Sequence, residues 1–305
     1  QLATNRRRPL WSRFALGTYA PGSTFKPMMA VASLEEGAIT RSTIFNCGGL
    51  FRYYDQPFQC LNKNAHGGEN VETALRDSCN IFFYNCAKRL GITKMNEYAS
   101  AFGLGQKTGV EIAESAGTLA GPEEREAAGG VWQSGDTIQA GIGQSDNLFT
   151  PLQLSNYCAT VANGGTRYQL HLVQSLIDNS SGTVTETQPK IEESLDLHKS
   201  TLTAVKSGMR LVATQGAPSL IFNQLRTEVA AKTGTSQVFV NGVKKNNGFL
   251  ITFAPYDNPE ISVASVVELA GSGTSTAEIT SSIIKYWYQN NTDEKTNQKT
   301  GALLN

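Results

Sequence analysis

Apolar positions along this chain recur at two periods, and the change of period divides it. The turn signal Tyr19-Ala20-Pro21-Gly22 precedes STFKPMMAVASLEEG, which predicts a helix beginning at Ser23 or Thr24 and ending near Gly37. Pro27 falls in its first turn, where a missing N–H breaks no intrahelical bond. Between residues 70 and 90, Leu75, Cys79, Phe82, Cys86 and Leu90 recur every three or four positions. That spacing predicts one buried helical face, interrupted near Ser78–Asn80. Thr150-Pro151 followed by LQLSNYCATVANGG supplies an N-cap, a proline at the first helical position and closing glycines. Residues 199–214 predict a further helix.

The final third changes character. Residues 227–234, 248–254 and 260–270 are rich in Val, Ile, Phe and Thr and predict strands. Pro255-Tyr256-Asp257-Asn258-Pro259 reads as a tight antiparallel connection between the last two. Residues 274–289 return to helical spacing, with Ile279, Ile283, Ile284 and Trp287 expected to pack on that sheet. The expected class is α+β in one domain over residues 1–290. A mainly helical part (27–215) precedes an antiparallel sheet with a closing helix (227–290). Residues 1–12, with the Arg6–Arg8 run, are expected to form an irregular arm, and 291–305 a flexible polar tail.

Of the 305 residues, 40% are hydrophobic, enough to bury a sizeable core. Lys plus Arg equals Asp plus Glu at 26 each, and this balance argues against nucleic-acid binding, which needs a basic surface to displace counterions. No apolar run approaches the length of a membrane span. The chain begins at Gln1 rather than Met and reads as a piece of something longer. Five cysteines are too few for a disulfide-stapled scaffold at this length, and their odd number leaves at least one free thiol or a set of metal ligands.

Ser23-Thr24-Phe25-Lys26 is an S-x-x-K motif at a predicted helix start, where residues three apart share a face and Lys26 reaches toward the Ser23 hydroxyl. Serine becomes a nucleophile when a neighbouring base takes its proton. Lysine serves as that base if its pKa falls from about 10.4 toward 7, a shift of roughly 4–5 kcal/mol that burial and a second cation can supply. S-x-x-K alone is weak, arising about once by chance in such a chain. The second copy, Ser282 to Lys285, lies mid-helix among isoleucines and reads as structural.

The chemistry also needs a second polar pair and a cationic strand edge. K-T-G occurs at Lys107, Lys232 and Lys299, but only Lys232-Thr233-Gly234-Thr235 continues a predicted strand. An exposed edge there can add an extended peptide, with Gly234 allowing close backbone approach. S-x-N occurs as Ser78-Cys79-Asn80, at the predicted helix break, and as Ser145-Asp146-Asn147 in the loop GIGQSDNLFTP. The first is preferred.

S-x-x-K, S-x-N and K-T-G-T in this order resemble the serine penicillin-recognising acyltransferases. The stretches TYAPGSTFKP, ALRDSCNIFFYNCAKRLG, SGDTIQAGIGQSDNLFTPLQLSNYCATVANGG and AAKTGTSQV are most similar to class B penicillin-binding proteins. Within these they resemble the elongation-type peptidoglycan D,D-transpeptidases of the penicillin-binding protein 2 kind, over roughly residues 10–290. In that family the Ser145 segment is the GIGQ loop.

The resemblance implies a penicillin-binding transpeptidase fold. It implies that Ser23 attacks a D-Ala-D-Ala stem peptide with Lys26 as base, that Ser78 relays a proton and that Asn80 positions the substrate amide. Lys232, Thr233 and Thr235 would bind the terminal carboxylate, Gly234 would line the substrate edge, and the N–H groups of Ser23 and Thr235 would form the oxyanion hole. β-Lactams would acylate Ser23. The catalysis needs no cofactor. Expected partners are peptidoglycan stem peptides, β-lactams, and a glycosyltransferase and other cell-shape proteins met through regions outside this chain. The expected location is the extracytoplasmic face of the bacterial plasma membrane, through an anchor outside this chain. Family members place two strands before the serine to complete a five-stranded sheet, and 22 residues are too few for them.

Cys47, Cys60, His66 and Cys79 fall as C-x12-C-x5-H-x12-C. Three thiolates and an imidazole suit tetrahedral zinc, although this is not a zinc-finger spacing. A Cys47–Cys60 disulfide, a turn-forming His66 and a core Cys79 would explain the same residues. Some elongation-type relatives hold zinc beside S-x-N with ligands at matching places, so the resemblance implies a structural zinc here. Cys86 and Cys158 read as buried packing residues, and His171 and His198 as ordinary surface residues. Trp132 and Asp136 are expected to line or brace the cleft, or, for Trp132, to join the core. A serine β-lactamase and a non-enzymatic β-lactam sensor share the three motifs. The first needs a positioned base for water, and neither an E-x-x-L-N nor a Y-G-N segment occurs at a suitable place.

Overall fold

The computed structural model describes residues 4, 5, 8–61 and 65–300, with side chains to residue 291. Arg6 and Arg7 of the arginine run, and the last five residues of the expected tail, lie outside the described residues. Helix α1 (Arg13–Leu16) leads into a 3-10 turn over Gly22–Phe25, which runs directly into α2 (Lys26–Glu35). Two ribbons follow, β1 (Phe45–Cys47) paired with β4 (Gly67–Glu69), and β2 (Leu50–Tyr53) paired with β3 (Gln56–Gln59). Then come α3 (Val71–Arg76), α4 (Asn80–Ala101), α5 (Pro122–Ala127), α6 (Ser134–Ala140) and α7 (Pro151–Ala162). Two more ribbons pair β5 (Thr166–Tyr168) with β8 (Ile191–Ser194), and β6 (Ser175–Ile177) with β7 (Val184–Glu186). Helices α8 (Lys199–Gln215) and α9 (Ser219–Phe222) precede β9 (Ala230–Val240), β10 (Val243–Ala254), β11 (Ile261–Val267) and α10 (Ala277–Thr300).

The antiparallel sheet has the order β11-β10-β9 among the described residues, so β9 is an edge strand. Side chains alternate across a strand, and β10 shows the consequence. Phe249, Ile251 and Phe253 enter the large core with Phe25, Met28, Phe82 and Tyr157 of the helical part. Leu250 and Ala254 enter a second core with Val212, Phe222 and Ile284. The sheet is therefore sandwiched, as α+β with an antiparallel sheet flanked by helices requires. Lys232 is in register with Ile251 and so points toward the helical part.

Several expectations need correction. The part between residues 27 and 215 is less purely helical than its period suggested, because four two-stranded ribbons interrupt it. Their strands are three or four residues long, too short for alternation to register. The strand expected over 227–234 begins at Ala230 and continues to Val240, and its partner begins at Val243 rather than 248. Asn241 (φ 53°) and Gly242 (φ 76°) form the two-residue turn joining them, the Asn-Gly signal for a hairpin. Of the apolar residues on the closing helix expected to pack on the sheet, only Ile284 is fully buried, whereas Ile279 and Ile283 are 49% and 42% exposed. That helix runs to Thr300, ten residues past the expected limit. No described helix is long and apolar enough to cross a membrane.

Candidate active site

The helix expected from Ser23 is two pieces. Gly22–Phe25 is a 3-10 turn, and Lys26 opens α2 with Pro27 in its first turn. The turn is fixed from several sides. Gly22 N–H donates to Gly143 O at 2.9 Å, Phe25 stacks on Phe149 with centroids 6.0 Å apart, and Tyr157 donates to Thr24 O while accepting from Met28 N–H at 2.9 Å. Gly22 holds φ +54°, and a Cβ there would stand 2.5 Å from Thr235 O. A Cβ on Gly234 would stand 2.8 Å from Pro21 O. Two glycines thus let the serine turn and the K-T-G strand meet backbone to backbone; the close approach expected of a substrate peptide at Gly234 is made instead by the chain's own Pro21 and Thr24.

The predicted interruption of the 70–90 helix is real, and it shapes the site. Helix α3 ends at Arg76, Ser78 adopts φ 53° in the left-handed region, and α4 starts at Asn80. A non-glycine residue held there stores strain of the kind concentrated at functional sites. The kink turns Ser78 and Asn80 toward Lys26. Lys26 Nζ donates to Ser78 O at 2.7 Å and to Asn80 Oδ1 at 2.7 Å, and lies 3.2 Å from Ser78 Oγ. Lys232 Nζ reaches Ser78 Oγ at 3.0 Å and Thr233 O at 3.0 Å. One hydroxyl therefore lies between two fully buried lysines.

Burial drives the Lys26 amine down to about 7. It also drives Lys232 well below the usual lysine range, with the Lys26 charge adding to the effect. Ser23 is half-buried, and among the described residues its hydroxyl has no hydrogen-bond partner. The amine expected on Ser23 is occupied by Ser78 and Asn80. Thr235 Oγ1 accepts from Gly273 N–H at 3.2 Å, which leaves its own proton free to donate. Thr233 is half-buried beside it.

The competing motif copies lie elsewhere. Asn147 accepts from Ala120 N–H and donates to Ala140 O, and Ser145 Oγ accepts from Arg125, so this S-x-N braces the GIGQ loop. Thr108 of the first K-T-G donates to Glu114, and Ser282 donates to Glu278 O within α10. Trp132 and Asp136 are braces: Trp132 donates to Thr137 at 3.0 Å, and Arg125 bridges Asp136 and Asp146. Sequence reasoning passed over Arg125, since a lone arginine among glutamates carries no pattern. The exposed His198 ring meets Glu35 at 2.8 Å, away from the site.

Behind Asn80, Cys47 Sγ and Cys60 Sγ lie 3.4 and 3.5 Å from His66 Nδ1, and Cys60 Sγ lies 3.9 Å from Cys79 Sγ. All four donor atoms fall within 4.8 Å of one another. A tetrahedral zinc with bonds of about 2.0–2.3 Å needs ligand pairs roughly 3.5–3.8 Å apart, and the three spacings of 3.4, 3.5 and 3.9 Å lie near that range. The expected alternative of a Cys47–Cys60 disulfide is not formed. Cys60 is held down to about 4, chiefly by the Cys79 thiol and further by the Ile81 and Asn80 N–H groups opening α4. Cys86 and Cys158 are fully buried, and burial pushes both up to about 12, as packing residues would be.

The penicillin binding protein transpeptidase domain family matches residues 1–285. The peptidoglycan D,D-transpeptidase MrdA of Escherichia coli K12 is 32% identical over 314 residues, covering 96% of this chain and 49% of its own length. The chain thus spans about half the length of that curated relative. Among solved structures, Pseudomonas aeruginosa PBP2 in complex with WCK 5153 superposes at TM-score 0.84 with 29% identity, over 94% of this chain and 64% of that one. Helicobacter pylori PBP2 in complex with MreC gives 0.83 and 26%, over 94% and 53%. With three separate motifs gathered around one buried lysine pair and a match over nearly the whole length, this chain belongs to the penicillin-binding protein transpeptidase domain family.

Proposed function

We propose that this chain is the catalytic part of an elongation-type peptidoglycan D,D-transpeptidase that works through an acyl-Ser23 intermediate. The observation that carries the reading is the Ser78 hydroxyl held between Lys26 and Lys232 beside the serine turn. In the free site the Lys26 amine is lowered to about 7, so a large share is neutral near neutral pH; in that form its N–H groups go to Ser78 O and Asn80 Oδ1, and its lone pair is the base. Ser23 Oγ attacks the penultimate D-Ala carbonyl and its proton passes to Lys26. The Ser23 and Thr235 N–H groups hold the oxyanion, each such donor contributing about 3–4 kcal/mol in the transition state.

The C–N bond then breaks, and the D-Ala amine leaves with a proton relayed through Ser78. An acceptor amine attacks the ester carbonyl to form the cross-linking amide; the Ser23 Oγ–acyl bond breaks, and the amine's proton returns by the same route to Ser23 Oγ. Burial disfavours the charged form of Lys232, and a substrate carboxylate beside Thr233 and Thr235 would favour that charge by opposite-sign attraction. Asn80 positions the substrate amide, and Gly234 lets the serine turn pack directly against the strand that the substrate joins.

β-Lactams would present the same carbonyl and stay attached as esters. Incubation with benzylpenicillin should add one ligand mass per chain with no turnover of nitrocefin. Rapid nitrocefin hydrolysis would favour the β-lactamase reading, and stable acylation with no reaction on any D-Ala-D-Ala donor would favour the sensor.

No cofactor enters these steps. Cys47, Cys60, His66 and Cys79 would hold a structural zinc, which would supply a closed clamp tying the β1–β4 ribbon to the residue before Asn80. One zinc per chain is expected by elemental analysis, with Cys79→Ser losing it and melting at least about 5 °C lower. Metal-free protein carrying a Cys47–Cys60 disulfide would sink the zinc assignment. The work would take place at the extracytoplasmic face of a bacterial plasma membrane, through an anchor outside this chain. Partners would be a glycosyltransferase and proteins of the MreC kind, as in the Helicobacter pylori complex.

A further inference from the structure

We propose that Lys244 and Lys245, on the arm that β9 and β10 extend past the serine turn, select donor stems by a free carboxylate upstream of the scissile bond. The inference rests on the transpeptidase reading and adds substrate selection to it. The arm has two halves. Up to Ser236 on β9 and from Asn247 on β10 the ribbon is largely buried, but beyond them it stands clear of the fold, with Phe239 73% and Val243 54% exposed. Its charge is one-sided. No acidic residue occurs between Glu228 and Asp257, a stretch holding Lys232, Lys244 and Lys245, although the chain as a whole is neutral. Both outer lysines are exposed, and among the described residues neither has an ion-pair partner.

The direction of a bound donor follows from the proposed roles. Its reacting carbonyl sits at the Thr235 N–H, and its terminal carboxylate sits one residue further on, toward Thr233 and Lys232. The peptide therefore runs opposite to β9 and can add to its open edge as an antiparallel strand. Residues upstream of the scissile bond must then pass Gln237–Val240, at about 3.3 Å per residue.

Lys245 is in register with Val238 and Lys244 with Phe239, so the two lysines lie on opposite faces of the ribbon. An added strand would lie about 10 Å from β10, two strand spacings away. A lysine stem and an acidic side chain together span that distance over Val238. Lys245 also shares the face of Lys232. A donor would thus meet two cations, one at its C-terminal carboxylate and one several residues upstream.

The test uses L-Ala-γ-D-Glu-meso-diaminopimelyl-D-Ala-D-Ala and the same pentapeptide with its glutamate α-carboxylate amidated. D-Alanine release is compared between this chain and the Lys244→Gln/Lys245→Gln variant, with melting temperature as the folding control. The expected result is a kcat/KM preference of about fivefold for the free acid, the size of an exposed charge pair or two. That preference should shrink at high salt and be lost in the variant, while the amidated peptide reacts equally with both. A preference that survives in the variant, an equal loss for both peptides, or no preference at all overturns the inference. If benzylpenicillin still acylates Ser23 in that case, the transpeptidase reading stands without it. Failure of this chain to be acylated at all overturns both.

Discussion

Ser23→Ala is expected to reduce covalent labelling by a fluorescent penicillin to background while the protein keeps its melting temperature. The hydroxyl is half-buried and unpartnered among the described residues, so its removal breaks no hydrogen bond there. It takes away the atom proposed to carry the acyl group. Ser282→Ala, in the second S-x-x-K, removes an exposed hydroxyl bonded to Glu278 O and should label normally. The pair separates the motif from its setting. Full labelling of the Ser23 variant, confirmed by intact mass, would end the acyl-serine assignment.

The second large effect is the dependence on Lys26 and on pH. With its amine lowered to about 7, Lys26 is the free base above that pH and an ammonium below it. The acylation rate should therefore rise with pH through about 7 and then level off. Lys26→Met should lose this inflection and fall by about 10²–10⁴, the range ascribed to a positioned general base. Lys26→Arg should fare no better, because a guanidinium does not deprotonate.

The same shift acts on stability. The unfolded chain takes up this proton near 10.5 and the folded chain only near 7, so stability falls as pH drops through that window and levels off below it. Shifts of this size correspond to about 5 kcal/mol. A pH-independent acylation rate between pH 5 and 9 would remove Lys26 as the base.

Sequence and structure divided the site between them unevenly. Thr150, Pro151 and the glycines after Ala162 marked α7, because capping residues act on their own turn, and Thr150 does accept the Gln153 N–H. The break at Ser78 was visible as an interruption of apolar spacing. The extent of the β9–β10 arm was not expected, although Asn241-Gly242 announces its turn, because polar residues around the turn hide the alternation. The S-x-x-K spacing suggested contact between Lys26 and Ser23, but the amine is held by residues some fifty positions away. Local spacing sets which face a side chain occupies, not which distant acceptor fills it.

By itself, then, the sequence determined the helices with strong caps, the α+β order and the choice of Ser23-to-Lys26 and Lys232-to-Thr235, since these are matters of neighbouring residues and their chemistry. Tertiary structure alone decided that one hydroxyl lies between two buried amines and that three thiols and an imidazole gather within 4.8 Å of one another, and it placed the S-x-N that the sequence preferred beside those amines. The reason is long-range packing: a lysine becomes a base near neutral pH only when segments far apart in the chain exclude water from it together, and thiols form a cluster only when such segments bring them side by side.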